Sequence, residues 1–296
     1  MKKVLLTGAT GFIGRHTIPL LLESGYEVHA VSRTARPRAE HQTGIFWYLC
    51  DLLNPDEQRQ LVARIKPTHL LHFAWVTTPG KYWTSLGNIR WVQASLNLLT
   101  NFVKEGGRRA VLAGTCAEYD WSYGYCSENI TPTRPSSLYG VCKLSLQEIL
   151  SFFSKQVGLS NAWGRIFFLY GPYEYPTRFV PSVIRSILMG ESTRCSHGNQ
   201  IRDFLFVEDV ASAFVALLES HVEGAVNIAS GKPITLKSIV QCISQLLEHP
   251  ELAKFGAIPA QINDPPLLVA NVTRLTQEVG WSPKYTLEEG LLKAID

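Results

Sequence analysis

Two residues one helical turn apart carry the most specific chemistry in the sequence. Tyr139 and Lys143 have the Tyr-x-x-x-Lys spacing, which puts both side chains on one face of a helix. A free phenol loses its proton at about pH 10, and a neighbouring ammonium stabilises the phenolate. The pair reads as a proton-exchanging phenol, Tyr139, tuned by Lys143 toward working pH. A second group suits a charged ligand. Gly8, Thr10, Gly11, Phe12, Ile13 and Gly14 lie in one glycine run between a β-type segment and an amphipathic one. At such a turn, bare backbone amides and a helix N-terminus bind pyrophosphate without side-chain interference, so a dinucleotide cofactor is expected.

The elements that must position these residues follow a regular alternation, which predicts an α/β fold with a parallel sheet and crossover helices. Candidate strands are Lys3–Thr7, Glu27–Ser32, Phe46–Cys50, His69–Trp75, Ala110–Thr115 and Ala162–Leu169. Candidate helices are Gly14–Ser24, Pro55–Ile65, Trp83–Glu105 and Tyr139–Val157, three of them closed by glycine. After Tyr170 the rhythm breaks at Gly171-Pro172, Pro176 and Pro181, where a second lobe is placed. Its pieces are a helix near Val180–Met189, a strand at Ala225–Ile228, a helix near Leu236–Leu247 and a helical turn after Val272. Residues 1–170 are thus expected to form a Rossmann-type, doubly wound NAD(P)-binding domain to whose sheet later segments return, and 171–296 mainly a smaller α/β substrate lobe.

Composition narrows the partners. The 296 residues carry a net charge of +3 with basic side chains dispersed, which argues against a nucleic-acid partner. There is no apolar run of membrane-spanning length and no secretion signal, so a cytoplasmic location is expected. Six scattered cysteines, without a C-x-x-C pair or histidines at ligand spacing, read as reduced thiols with no metal site.

The G-x-x-G-x-x-G spacing, with Tyr139, Lys143 and an upstream strand ending in Thr115, resembles the extended short-chain dehydrogenase/reductase family over nearly the whole chain. The resemblance implies a Thr115-Tyr139-Lys143 set that interconverts an alcohol and a ketone. Tyr139 would exchange the proton, Thr115 would bond the same oxygen, and Lys143 would also hold the nicotinamide ribose. It assigns Asp51 and Leu52 to the adenine and Ala74 to the floor under the cofactor, although Trp75 departs from the family's His-x-Ala-Ala strand end. The position after the second strand reads Ser32-Arg33-Thr34, with no carboxylate for the adenosine ribose. Arg33 suits a 2′-phosphate, which favours NADP (as NADPH) over NAD.

Within that family, Cys116-Ala117 replaces the Asp-Glu pair of the dehydratases, which disfavours dehydration. Cys116 stands one place early for the cysteine of enzymes that invert carbons 3 and 5, and reads as a small buried residue at the substrate. A 4-keto-sugar nucleotide reductase and a nucleotide-sugar 4-epimerase remain. The absent carboxylate tips the expectation toward the reductase, and Gly198–Val210 looks like abequose-type deoxysugar synthases. By the same resemblance, Arg202 faces the nucleotide diphosphate and Arg178 is a second phosphate candidate. A further arginine expected near Gln261–Pro265 is missing, and Phe168 replaces a substrate-contacting Asn. Tyr119, Trp121, Tyr123 and Tyr125 either line the sugar pocket or pack. The resemblance also implies a homodimer through the helices near 83–105 and 139–157. A non-catalytic NADP-binding sensor is the reading from another class, and it leaves the tuned phenol without a purpose.

Overall fold

The computed structural model describes residues 2–34, 43–260 and 264–296. In chain order the elements are β1 (Lys3–Thr7), α1 (Gly14–Glu23), β2 (Glu27–Ser32), β3 (Ile45–Leu49), α2 (Pro55–Ile65), β4 (His69–His72), α3 (Gly87–Lys104) and β5 (Arg109–Thr115). There follow β6 (Tyr125–Cys126), α4 (Leu138–Val157), β7 (Ser160–Ile166), β8 (Phe168–Tyr170), α5 (Phe179–Leu188), β9 (Thr193–Arg194), β10 (Ile201–Phe206) and α6 (Val207–Glu219). The chain closes with β11 (Gly224–Ile228), β12 (Pro233–Thr235), α7 (Leu236–Leu246), β13 (Ala253–Lys254), β14 (Leu267–Ala270), a π-helical turn at Arg274–Glu278 and α8 (Leu287–Ile295).

Seven strands form a parallel sheet in the order β11-β7-β5-β4-β1-β2-β3. Helices α1 and α6 pack on one face around Leu21, Phe214 and Val226, and α2, α3 and α4 on the other around Leu61, Leu98 and Leu146. Every residue of β5 is buried. This is the doubly wound Rossmann arrangement, in which ligands bind beyond the carboxyl ends of the strands. A second sheet, β12-β10-β14-β6 with β8 added beside β10, carries the other lobe.

Several boundaries differ from the sequence expectation for identifiable reasons. The fourth strand stops at His72, because β1, its hydrogen-bonding neighbour, ends at Thr7 where Gly8 turns away at a φ of +68°. The expected strand Ala162–Leu169 is two strands: the chain leaves the main sheet after Ile166, and β8 pairs with β10 in the second. The third helix starts at Gly87 instead of Trp83, after a turn held by Asn88, whose amide donates to the carbonyls of Tyr82 (2.7 Å) and Ser85 (2.8 Å). Helix α6 had no sequence expectation. Its less buried residues, Glu208, Ser212, Ala216 and Glu219, form one narrow stripe and the rest packs in the core, and the Arg109 guanidinium caps its end at the carbonyls of Leu217, Leu218 and Val222.

Candidate active site

The glycine run sits where β1 hands over to α1. A Cβ on Gly14 would lie 2.2 Å from the Gly8 carbonyl oxygen, and one on Gly8 would lie 2.9 Å from the Ala74 nitrogen. Both positions therefore exclude any side chain, and the Ala74 backbone packs against Gly8. Helix α1 has no side-chain cap at its N-terminus, which leaves amide donors for an anion. Arg15 wraps over Thr10 and Gly11, donating to both carbonyls (2.9 and 3.3 Å), and its guanidinium stacks 4.3 Å from the Tyr173 ring. That contact brings the Gly171–Tyr175 loop against the glycine run. Phe12 and Ile13 are half-buried and pack into the second lobe's core.

The residues expected at the adenosine end are also nearby in the chain's fold. Arg33 is exposed immediately after β2, where the Ser32 hydroxyl donates to the Thr34 carbonyl (2.9 Å). Asp51 accepts from the Leu53 amide (3.0 Å), while Asn54 caps α2. The Leu52 side chain is in the core, so only its backbone faces outward chemistry.

Thr115, at the end of β5, and Tyr139, in the first turn of α4, meet because Gly140 lets the helix approach the turn after β5. A Cβ there would lie 2.5 Å from the Ala117 carbonyl oxygen. The Thr115 hydroxyl lies close enough to the Tyr139 phenol to oppose the rise that burial imposes on it, and it accepts from the Ala117 amide (3.2 Å). Tyr139 lies in an aromatic recess: Tyr82 packs edge-on at 4.9 Å and Trp83 at 5.7 Å, with Trp121 edge-on to Trp83 at 6.2 Å. The Trp83 carbonyl accepts the Tyr139 amide at 3.1 Å. Sequence reasoning missed Tyr82 and Trp83; the Tyr-Trp pair following Pro79-Gly80 was the available signal.

Tyr139 and Lys143 stand in different surroundings. Burial pushes the Tyr139 phenol up, and the partner that opposes the rise is Thr115. Lys143 is buried, donates from Nζ to the Ala113 carbonyl at 2.7 Å, and lies 3.8 Å from the centre of the Trp75 ring. Burial brings its own pKa down to about 7, against the opposing pull of Glu118.

Glu118 is fully buried and points into the core. The strand ends at Thr115 and a tight 3-10 turn follows, with Glu118 accepting from the Thr115 amide (2.8 Å), the Trp163 indole (2.9 Å) and Arg165 (2.7 Å). Cys116 is buried and its thiol is pushed far up by desolvation, in keeping with a packing residue. Of the aromatic segment, Tyr119 is core, Tyr123 and Tyr125 are exposed, and Trp121 reaches the recess.

In the second lobe Arg202 pairs with Asp264 at 2.5 Å, and not with its neighbour Asp203, whose carboxylate is taken by Ser230, Gly231 and Ala270. Phe168 lies under the Arg202 guanidinium at 5.6 Å. The stretch Gln261–Pro265, which lacks the expected arginine, lies mostly outside the described residues, at 261–263, and position 264 is this acid. The Arg178 guanidinium lies 5.3 Å from the Tyr82 ring, next to the recess. A cavity of about 360 Å³ lined by Phe179, Arg194, Cys195, Phe255 and Leu236 ends at Asp264. Among the described residues, no cluster of three or more His, Cys, Asp or Glu side chains suits a metal, and no helix is long and apolar enough to cross a membrane.

A doubly wound sheet with a glycine-built anion site beside a Thr-Tyr-Lys cluster defines a dinucleotide-dependent oxidoreductase class. The model of the NAD dependent epimerase/dehydratase family matches residues 4–229, and the chain belongs to that family. Similar curated proteins include UDP-glucose 4-epimerase of Corynebacterium glutamicum, 26% identical over 96% of this chain and 92% of that protein. CDP-abequose synthase of Salmonella typhimurium is 27% identical over 97% and 95%. Among solved structures, MoeE5 in complex with UDP-glucuronic acid and NAD is 30% identical with a TM-score of 0.84, covering 99% of this chain and 97% of that one. The UDP-glucose 4-epimerase of Thermus thermophilus in complex with NAD is 25% identical with a TM-score of 0.85, over 99% and 98%.

Proposed function

We propose that this chain moves a hydride and a proton at carbon 4 of a sugar carried on a nucleoside diphosphate, with 4-epimerisation as the net outcome. The observation that carries the chemistry is the Thr115–Tyr139 contact inside an aromatic recess beside the glycine loop. Tyr139 takes the proton of the sugar hydroxyl and returns it to the same oxygen, while Thr115 steadies that oxygen and stabilises the phenolate. A nicotinamide dinucleotide over Gly8–Gly14 supplies the hydride acceptor and donor. Dehydration is disfavoured because Glu118, the nearest carboxylate, is committed to Arg165 and Trp163. Arg202 meets the diphosphate by exchanging Asp264 for phosphate oxygens, and the adjoining cavity takes the nucleoside. In this reading residues 1–170 serve mainly the cofactor and 171–296 mainly the nucleotide sugar. Exposed Ile89, Val141, Ile149 and Phe152 on α3 and α4 offer a face for a homodimer.

The sequence alone favoured the reductase, but the similarity to UDP-glucose 4-epimerases supports the epimerase at least as well, and it is the reading adopted. One observation keeps reduction as a second reading: Arg33, exposed where the adenosine 2′-phosphate of NADP would lie, without a carboxylate beside it in the Ser32–Thr34 turn. The two separate on purified protein. An epimerase retains NAD and interconverts UDP-sugars with no added cofactor, whereas a reductase consumes NADPH stoichiometrically with a 4-keto nucleotide sugar and loses its NADPH preference in Arg33→Ala. Net NADPH consumption would overturn the adopted reading.

A further inference from the structure

Lys143 is enclosed by a residue that the family resemblance does not call for. Where the strand-end motif expects alanine, this chain has Trp75. We propose that Trp75 is a positioning residue whose indole face holds the Lys143 amine against the Ala113 carbonyl and keeps water away from it. The inference rests on the proposed chemistry at Tyr139, with Lys143 counted in the Thr-Tyr-Lys set of the same site.

The geometry is that of a clamp. The Lys143 Nζ lies 3.8 Å from the centre of the Trp75 ring and donates to the Ala113 carbonyl at 2.7 Å, with the Trp163 ring 5.8 Å away. Trp75 is itself fixed at its far end. Its Nε1 donates to Asn88 Oδ1 at 2.8 Å, Asn88 is anchored by two backbone carbonyls, and the indole stacks on Trp91 at 6.2 Å. Rotating the indole away from the amine breaks both the hydrogen bond and the stack.

The charged and titratable groups around Lys143 leave its protonation to this enclosure. His72 on β4 is held neutral by burial, its pKa pushed down to about 3, and it hydrogen-bonds Thr7 and Ser95. Glu118, after β5, favours the ammonium but is already paired with Arg165 on β7. Tyr139 lies one turn earlier on α4 itself. Burial dominates, so Lys143 titrates near neutrality. Such a lysine gains its charge when an oxygen-rich ligand reaches it, and the phenol beside it is then stabilised as phenolate only in the loaded site. Opening the enclosure admits water, which favours the ammonium and raises the titration midpoint.

The test is a pH titration of the cofactor-free full chain carrying 13Cε-labelled lysine, with Lys143 assigned by the resonance that Lys143→Met removes. Trp75→Ala is expected to raise the Lys143 midpoint by about one pH unit or more, and Trp75→Phe, which keeps a ring face, to stay close to wild type. Should Trp75→Ala not fold, Trp75→Leu, smaller than the indole and without its ring face, still opens the enclosure and shifts in the same direction. In turnover, the high-pH limb of kcat moves up in the same variant. An unchanged midpoint in the alanine or leucine variant, or an equal shift in Trp75→Phe, overturns the proposal. Full activity in Lys143→Met would instead overturn the active-site reading, with the titration result standing by itself.

Discussion

The two ends of the proposed substrate path handle polarity in opposite ways. At the Tyr139 end, the functional groups are dry: Tyr139 has Thr115 and aromatic rings for neighbours, and Lys143 has a backbone carbonyl and Trp75. At the Arg202 end, a permanent cation is held by an aspartate. The difference suits the tasks. A proton-transferring group works when its pKa can be moved, and burial moves it; a diphosphate-binding group works when its charge is fixed. Between them, Glu118 and Arg165 form a fully buried pair that supports the turn carrying Thr115 without entering the chemistry.

Breaking that buried pair gives the largest change in stability expected from a substitution. Glu118→Gln leaves Arg165 without its counter-charge and costs about 3–5 kcal/mol of folding stability, read by denaturant unfolding. If stability is unchanged, the pair is not what holds the Thr115 turn. Acid acts next. Burial pushes His72 down to about 3 and His69 to about 4, so both stay neutral in the fold while the unfolded chain protonates them below about pH 6.5. The stability present above that pH is lost as pH falls toward the folded values, at up to about 1.4 kcal/mol per pH unit for each residue. A flat stability between pH 7 and 4 would contradict the account of a dry central strand. The smallest effect is at the charged end: Arg202→Gln is expected to raise the KM for the nucleotide sugar about tenfold, or ~1.4 kcal/mol, with kcat little changed. A fall in kcat with unchanged KM would place Arg202 in the chemistry instead.

What the sequence made legible is local. β1, β2 and α2 run as expected because each is bounded by a strong local device: Gly8 after β1, the Asn54-Pro55 cap at the start of α2. The Thr115–Tyr139 contact was legible from spacing and resemblance together, since strand end and helix start are both fixed features of the fold. Helix α8 was missed although its Thr286–Glu289 capping box was there to read. Other misses depend on packing between distant segments. Asp264 reaches Arg202 across 62 positions, and Trp75, in the loop after β4, meets Lys143 on α4. No spacing rule connects such residues. The same cause hid the charge state of Lys143: Tyr-x-x-x-Lys spacing identifies the pair but is silent about the water around it.

The central claim is that Tyr139 transfers the proton, and its most direct test is Tyr139→Phe, assayed on whichever nucleotide sugar the wild type turns over. The account predicts a rate at least about 10³-fold lower with cofactor affinity and thermal stability retained, because the ring still packs against Tyr82 and Trp83 while the phenol is gone. Wild-type turnover in Tyr139→Phe would contradict it.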